Sequence, residues 1–232
     1  MHRLLLPGSF SPDTRLELPA EERHHLEVRR ARPGDAVELL DGRGAVGQGV
    51  LVAAGRSWAV DVATVAHRAP QPPLSLLVGA GDRDRFGWLV EKAVELGVTR
   101  LTPLETVRSR NVATRIRAEH HDKLGRRAVE ALKQSGGAWA LEVAGPVPVA
   151  AAVAQVTEPV RWLADPAGQP PEPVGPDTPL AIAVGPEGGF VDDERSTLLQ
   201  HGFIPVRLGP RILRFETAAL AAAAIAAWQR KE

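Results

Sequence analysis

The sequence predicts an α/β protein of two domains, in which a small β-barrel precedes a domain built on a doubly covered parallel sheet. In the first 70 residues, short β-branched stretches are separated by Gly, Asp or Arg, as in small β domains. The stretch RAPQPP at 68–73 is rich in proline and is typical of a linker. After it, apolar strands alternate with amphipathic helices, which favours a parallel sheet. The predicted domains are therefore 1–70 and 71–232.

The first domain is predicted from three strands and one helix. The strands are DAVELLD, GQGVLVAAG and SWAVDVATV, at 35–41, 47–55 and 57–65. The helix is PAEERHHLEVRRA at 19–31. Short strands with one short helix predict a small β-barrel of roughly 70 residues.

The second domain is predicted as strands and helices in alternation. Its first strand, LSLLVGAG at 74–81, precedes the helix RFGWLVEKAVELG at 85–97, whose apolar residues recur at helical spacing and whose natural end is Gly97. Further strands are predicted at 98–106, 161–165, 179–185 and 204–209, and further helices at 119–137, 192–202 and 217–229. The helix that opens with DDE is expected to use Asp192 or Asp193 as its N-cap.

Composition excludes several classes of function. The chain contains no cysteine, which excludes disulfides, thiolate zinc sites and cysteine nucleophiles. Its 28 basic and 28 acidic residues give a formal net charge of zero, so no overall field attracts nucleic acid. The longest apolar stretch, at 218–228, is too short to span a membrane, and no signal peptide is recognisable. These features predict a cytoplasmic protein without a membrane segment.

Two adjacent histidine pairs, at 24–25 and 120–121, are the candidates for a metal site. Neighbouring residues of a helix point about 100° apart, so neither pair converges on one ion. We therefore expect the protein to bind no metal.

The charge is uneven along the chain. The segment 108–127 carries seven basic residues against two acidic ones. The basic residues are Arg108, Arg110, Arg115, Arg117, Lys123, Arg126 and Arg127. One interpretation is a solvated helix face with its loop, and the other is a local patch that binds phosphate groups.

The loop VGPEGGF at 184–190 directly follows a predicted buried strand. It lacks the spacing of a phosphate-binding loop, Pro186 has no N–H to donate, and Glu187 would repel an anion. A neutral or cationic ligand that contacts backbone N–H and C=O groups fits this loop better. The alternative is a tight turn that needs positive φ at Gly188 and Gly189.

A second loop, LGPRILRFETA at 208–218, follows the last predicted strand. It places Arg211, Arg214, Glu216 and Thr217 within seven residues, between a buried strand and an apolar helix, where polar groups are costly unless they are used. The alternative is that Thr217 caps the helix and the arginines are surface charges. Ligands of parallel sheets bind at the carboxyl ends of the strands, where this loop, VGAG and VGPEGG all begin.

Three motifs in order, KAVELGV, VGPEGGF with DDE, and LGPRILRFETA, resemble the RsmE family of ribosomal RNA methyltransferases, which belongs to the SPOUT superfamily. The resemblance covers nearly the whole chain and includes HR at 2–3 and HHLEVRRARPGD at 24–35. It implies a C-terminal SPOUT domain with a trefoil knot and an N-terminal PUA-like β-barrel that binds RNA. Leu5 departs from the family, which often has an aromatic residue at this position.

The resemblance also implies the reaction, the cofactor and the partners. The family uses S-adenosylmethionine to methylate N3 of one uridine in the 16S ribosomal RNA of the small subunit. RNA is expected to bind to the barrel and to the segment 108–127. The cofactor is expected to contact Leu163, Val184, Gly185, Pro186, Glu187, Gly188, Gly189, Leu208, Gly209, Ile212, Leu213, Arg214 and Thr217.

A homodimer is expected for two reasons. The family resemblance implies dimers with the site near the subunit interface. The Ala-rich last helix also offers a flat face for close packing, which Ile225 and Trp228 could anchor.

Methylation of N3 requires the loss of its proton, because the protonated nitrogen is a poor nucleophile. The catalytic candidates are Arg214 and Arg3, as cations that stabilise the resulting anion, and Glu187 or Glu216, as carboxylates. Arginine cannot accept a proton at neutral pH but can hold an oxyanion. The alternatives are an exposed N-terminal charge for Arg3 and a carboxylate facing the helix dipole for Glu216.

Two other classes of function stay open on the sequence. One is an RNA-binding module without catalysis, in which the barrel is fused to a metabolite-binding α/β domain. The other is a metabolite-binding α/β protein unrelated to RNA. Cofactor binding would distinguish the enzyme from the non-catalytic RNA-binding module. The barrel and the basic segment distinguish both of these from a metabolite-binding protein unrelated to RNA.

Overall fold

The computed structural model describes residues 1–6, 8–55 and 57–230, which form two compact units. The first unit comprises Met1–Pro70 and Leu132–Ala140, and the second comprises Gln71–Ala131 and Leu141–Glu232. The sequence prediction does not separate Leu132–Ala140 from the second domain, because a helix whose last turn packs elsewhere keeps the same amphipathic pattern. The roles assigned to the two domains stay predictions.

The first unit is built on a five-stranded mixed sheet with the strand order β1-β3-β4-β5-β2. Its elements are β1 (His2–Leu5), β2 (Arg15–Glu17), α1 (Ala20–Val28), β3 (Ala36–Leu40), β4 (Ala45–Ala54) and β5 (Ser57–His67). β1 pairs with β3 in parallel, and the other neighbours are antiparallel. The three predicted strands are confirmed as β3, β4 and β5. The sequence does not indicate β1 and β2, because four and three residues are too few to show an alternating pattern.

The second unit is built on a seven-stranded sheet with the order β12-β10-β11-β6-β7-β8, and β9 also pairs with β7. Its elements are β6 (Leu74–Gly79), α2 (Arg83–Glu95), β7 (Arg100–Glu105), α3 (His121–Ser135), β8 (Glu142–Val143), β9 (Val147–Pro148), α4 (Val149–Val153), β10 (Val160–Gln169), β11 (Leu180–Val184), α5 (Asp192–Gln200), β12 (Ile204–Val206) and α6 (Phe215–Gln229). Two 3-10 helices, Ser109–Asn111 and Ala118–His120, precede α3. All pairings are parallel, as predicted. The central strands β6 and β11 are buried along their whole length, as expected for strands covered on both faces.

The helix ends follow the sequence only in part. Gly97 ends α2 with a φ of +72°, as predicted. The expectation that Asp192 or Asp193 caps α5 is wrong, because both residues lie in its first turn. The N-cap is Val191, and Glu194 Oε2 accepts a hydrogen bond from its N–H at 3.1 Å. The Glu at the third helical position therefore satisfies the N–H of the N-cap residue, which is the reciprocal half of a capping box.

The segment Leu132–Ala140, which contains the last turn of α3, is held in the first unit by polar contacts. Lys133 Nζ lies 3.1 Å from Glu22 Oε1, and both side chains are buried. Trp139 Nε1 donates a hydrogen bond to the carbonyl oxygen of Arg68 at 3.1 Å. The first unit is therefore completed by residues that lie more than sixty positions beyond its strands in the sequence.

Candidate functional site

A cavity of about 310 Å³ lies in the second unit where β11 and β12 end. It is lined by Ala164, Asp165, Pro166, Val184, Gly185, Pro186, Glu187, Gly188, Gly189, Val206, Arg207, Leu208, Gly209, Arg211, Ile212, Leu213, Phe215 and Ala218. The carboxyl ends of parallel strands are where such sheets bind ligands. The two loops that the sequence singles out therefore share one cavity.

The VGPEGGF loop forms a tight turn at the wall of this cavity. Gly189 donates its N–H to the carbonyl oxygen of Pro186 at 2.8 Å, with a φ of +73°. A Cβ on Gly185 would lie 2.9 Å from Gly189 Cα. The expectation of positive φ is confirmed for Gly189 and wrong for Gly188, where a Cβ would instead lie 2.9 Å from Arg108 Cδ. The positive φ favours glycine at 189, whereas the close approach of the Arg108 side chain favours glycine at 188.

A distant segment of the chain supports this turn. The guanidinium of Arg108 donates a hydrogen bond to the carbonyl oxygen of Gly188. The carboxylate of Glu194 accepts the N–H of Val107 at 2.8 Å and that of Val191 at 3.1 Å. The partners of Arg108 and Val107 lie 80 and 87 positions away in the sequence, so no local pattern could have indicated them.

The third glycine loop, VGAG at 78–81, packs against residues that line the cavity. A Cβ on Gly79 would overlap the backbone nitrogen of Pro186. A Cβ on Gly81 would lie 2.6 Å from Cε1 of Phe215, a residue that lines the cavity. Phe215 in turn stacks on Phe86 of α2, with ring centroids 6.2 Å apart. The small residues of this loop let the strand end approach the cavity wall.

Arg214 lies at the N-cap position of α6, between two residues that line the cavity. Its side chain is exposed, and no hydrogen bond or ion pair joins it to another residue within 1–6, 8–55 and 57–230. A role in bracing the loop would need a protein partner, such as the carboxylate of Glu187 or Glu216, and neither of these makes that contact. The guanidinium is therefore available to a ligand.

Glu216 is buried in the first turn of α6 and does not line the cavity. Its Oε1 lies 3.8 Å from Nη1 of Arg85 on α2. Its buried Oε2 has no hydrogen-bond partner among the described residues. A carboxylate at this position is favoured by the helix dipole, which supports the structural interpretation of Glu216 over a catalytic one.

Most of the predicted cofactor contacts line the cavity, and three do not. Leu163 is buried in the core, and the residues after it on β10, Ala164 and Asp165, line the cavity instead. Thr217 is an exposed residue inside α6 and is not its N-cap. Arg214 is adjacent to the lining residues rather than among them.

Arg3 belongs to the first unit, where its guanidinium has several partners. Nε donates to Glu38 Oε2 at 2.6 Å. Nη1 donates to the carbonyl oxygens of Lys133 and Gln134, at 3.0 and 2.7 Å. These contacts fix the end of α3 and favour a structural role, and the catalytic role of Arg3 stays a prediction.

Sequence reasoning missed an acidic residue in the cavity wall. Asp165 Oδ2 accepts hydrogen bonds from Nε and Nη2 of Arg195, at 3.1 and 3.0 Å. Its Oδ1 accepts the N–H of Ala167 at 2.8 Å. The carboxylate is thus held in one orientation at the wall, where it can accept hydrogen bonds from a ligand's hydroxyl groups. The sequence does indicate Asp165 weakly, because it is an acidic residue at the end of the predicted strand RWLAD, where a parallel sheet binds its ligand.

Within residues 1–6, 8–55 and 57–230, no group of three or more His, Cys, Asp or Glu residues is arranged to hold a metal ion. In the same part of the chain, no helix is long and apolar enough to cross a membrane.

Two family models match this chain. One, described as "RNA methyltransferase domain", matches residues 67–227, and the other, "RNA methyltransferase PUA domain", matches residues 18–57. The Ribosomal RNA small subunit methyltransferase E of Synechocystis sp. is 30% identical over 227 residues, which are 94% of this chain and 74% of that protein. This chain belongs to the ribosomal RNA small subunit methyltransferase E family. The Mycobacterium tuberculosis member is 31% identical over 219 residues, 86% of this chain and 80% of that protein.

Solved structures agree with membership of the methyltransferase E family. The enzyme from Neisseria gonorrhoeae, bound to S-adenosyl methionine, matches with a TM-score of 0.87 and 27% identity, over 97% of this chain and 95% of that one. A methyltransferase from Legionella pneumophila, in complex with the same cofactor, matches with a TM-score of 0.82 and 28% identity, over 96% and 95%. These matches confirm the predicted α/β fold with an N-terminal PUA sheet and a SPOUT-type parallel-sheet domain. The trefoil knot stays an implication of the resemblance.

Proposed function

We propose that this methyltransferase transfers the methyl group of S-adenosylmethionine to N3 of a uridine in 16S ribosomal RNA. The observation that carries the proposal is the cavity lined by both family motif loops. A solved relative that covers 97% of this chain is bound to S-adenosyl methionine. The cavity volume, about 310 Å³, lies at the lower end of the range for small-molecule sites.

The lining suits a cofactor that carries a sulfonium and no phosphate. Pro186 has no N–H for a phosphate, and the carboxylates of Asp165 and Glu187 balance the two lining arginines, Arg207 and Arg211, and tolerate a positive sulfur. Asp165, held by Arg195, would accept hydrogen bonds from ribose hydroxyls. At Gly209 a Cβ would meet no neighbouring atom within 4 Å, so the bare backbone is open to a ligand. When bound, the cofactor supplies an electrophilic methyl group.

The protein must orient the uridine and stabilise the charge that appears when N3 loses its proton. Arg214 is the candidate cation, because its exposed guanidinium lies beside the cavity without a protein partner in the described chain. Glu187 is the candidate proton acceptor, because its exposed carboxylate lines the cavity. Positioning of N3 against the methyl carbon supplies much of the remaining acceleration.

The experiment that tests this function is mass mapping of 16S ribosomal RNA. RNA from cells lacking the gene should lose one methylated uridine, and the purified protein with S-adenosylmethionine should restore it. RNA binding without methyl transfer would instead support the non-catalytic RNA-binding module. A full set of methylated nucleotides in the deletion strain would contradict the proposal.

We expect Gly189→Val to abolish binding of S-adenosylhomocysteine. Valine at the positive φ of this residue is strained by about 1–3 kcal/mol, so the turn should rearrange. Gly188→Val should have a smaller effect, because its Cβ meets only the flexible chain of Arg108. The measurement is isothermal titration calorimetry, with Gly145→Val as control, since no atom lies within 4 Å of a Cβ there. Undiminished binding by the Gly189 variant would remove the turn from the site.

We also propose that the protein is a homodimer in which α6 contributes to the interface. Trp228 on α6 is 72% exposed and Trp88 on α2 is 46% exposed, so both present a large apolar surface that a second copy of the chain could cover. Light scattering at micromolar concentration should give twice the mass of one chain. Trp228→Glu should shift the mass toward that of one chain, and a wild-type monomer would count against the dimer.

The cytoplasm remains the proposed compartment, because the proposed substrate is the RNA of the small ribosomal subunit. Fractionation of cells that express a tagged protein should recover it with the soluble ribosomal material. Recovery in a membrane fraction would contradict this.

A further inference from the structure

Some basic residues of the segment 108–127 serve its own unit. Arg108 donates to the carbonyl oxygen of Gly188. Arg115 donates from Nη1 to the carbonyl oxygen of Arg110 at 2.9 Å. These guanidinium groups hold loops in place, so the segment is not a uniform phosphate-binding patch.

A small cleft between α2 and the beginning of α3 gathers four basic side chains, those of Arg83, His120, Lys123 and Arg127. We call it the basic cleft. In the described parts of the chain, no hydrogen bond or ion pair engages the side chains of Arg83, Lys123 or Arg127. The Nε2 atom of His120 lies 3.9 Å from a carboxylate oxygen of Glu119. Three cations therefore converge here without a protein counterion.

A glycine in α2 gives one of these cations its place. Gly87 is buried in the interior of α2, where glycine is destabilising relative to alanine. A Cβ on Gly87 would lie 2.8 Å from Nη1 of Arg127. The half-buried guanidinium of Arg127 thus occupies space that any other residue at 87 would fill. Its N–H donors have no acceptor among the described residues and are not fully buried, so they are available to an acceptor from outside the protein.

We propose that the basic cleft binds a backbone phosphate of the RNA substrate, an inference that rests on the proposed function. The planar guanidinium groups and the ammonium group match the oxygens of a phosphodiester. Only about 10 Å³ of the cleft is open to the centre of a water-sized molecule, so a bound group would lie mostly outside it. A phosphate that inserts one oxygen and leaves the rest outside fits a nucleic acid chain that continues in both directions.

The first test compares two adjacent arginines of α3. We expect Arg127→Ala to lower the slope of log affinity against log salt concentration for RNA by about 0.7–0.9, the value of one lost phosphate contact. Arg126→Ala removes the same charge from an exposed side chain of the same segment that does not line the cleft. If RNA is bound at the cleft rather than along the whole segment 108–127, its slope should stay near wild type. Equal losses in both variants would indicate a diffuse basic patch and would overturn the cleft.

The second test keeps every charge. Gly87→Ala should displace the guanidinium of Arg127 and weaken RNA binding several-fold at low salt. Gly125→Ala is the matched control on α3, because its Cβ would have no neighbour within 4 Å, and its affinity should not change. Equal affinity of the two variants would contradict the role of Gly87 in placing Arg127.

Two further comparisons separate this proposal from the proposed function. A phosphate contact carries no sequence information, so Arg127→Ala should weaken binding to 16S RNA and to an unrelated RNA of equal length alike. The binding test can therefore be read even if the wild-type protein fails to methylate 16S RNA. Such a failure would contradict the proposed function and not the phosphate contact at the basic cleft. Loss of inorganic phosphate binding in Arg127→Ala, with an unchanged RNA slope, would reassign the cleft to a free anion and overturn the RNA proposal.

Discussion

Arg214→Ala should lower single-turnover methylation of 16S RNA by about 10²–10³-fold, the usual effect of removing one preorganised donor to a developing oxyanion. Affinity for S-adenosylhomocysteine and the melting temperature should stay near wild type, because the side chain of Arg214 has no partner in the described chain that its loss would release. Loss of a contact that is made mainly in the transition state lowers kcat more than it weakens binding.

Two companion variants sharpen this test. Arg214→Lys keeps the charge but loses the planar fork, so it should restore activity only in part. Arg211→Ala changes an exposed residue of the same loop that lines the cavity, so it should weaken cofactor binding more than the chemical step. Methylation by Arg214→Ala within a few-fold of wild type would exclude a chemical role for Arg214. A loss that only follows cofactor affinity would favour a role in holding the loop.

Lys133→Met should lower the free energy of unfolding by about 3–5 kcal/mol, because it leaves the carboxylate of Glu22 buried without its ammonium partner. The double variant Lys133→Met with Glu22→Leu should recover most of this loss, since apolar pairs often replace a buried ion pair at little cost. Urea unfolding measures both. Gln134→Ala is the control, because the side chain of Gln134 is exposed and Arg3 contacts its backbone carbonyl oxygen, which alanine retains. A loss below 1 kcal/mol for Lys133→Met would show that the pair adds little.

The parallel sheet of the second unit could be predicted because its information is local. β6 and β11 are continuous apolar runs, and α2 combines a 3.6-residue apolar repeat with a glycine end. The same argument explains the failure at the N-terminus, where β1 has only four residues and finds its partner β3 more than thirty positions away. Short strands are defined by the neighbours that they pair with and not by their own pattern.

The cavity could be predicted as a place but not as a set of contacts. Glycine-rich turns after buried strands locate it, and two such loops do line it. The local pattern could not distinguish Gly189, which needs a positive φ, from Gly188, which needs room beside Arg108. The orientation of Asp165 depends on Arg195, thirty positions away, and no spacing rule covers such a pair.

The return of Leu132–Ala140 to the first unit has a consequence for synthesis of the protein. A ribosome adds roughly 5–20 residues per second, so the sixty-odd residues between Pro70 and Leu132 take roughly 3–12 s to make. During that interval the carboxylate of Glu22 lacks its ion pair with Lys133, and the carbonyl oxygen of Arg68 lacks its hydrogen bond from Trp139. The first unit thus has all its strands but lacks these packing residues while β6, α2 and β7 are being made, and its completion depends on translation through α3. A gene fragment that stops at Pro70 encodes every strand of that sheet but omits the residues that close it.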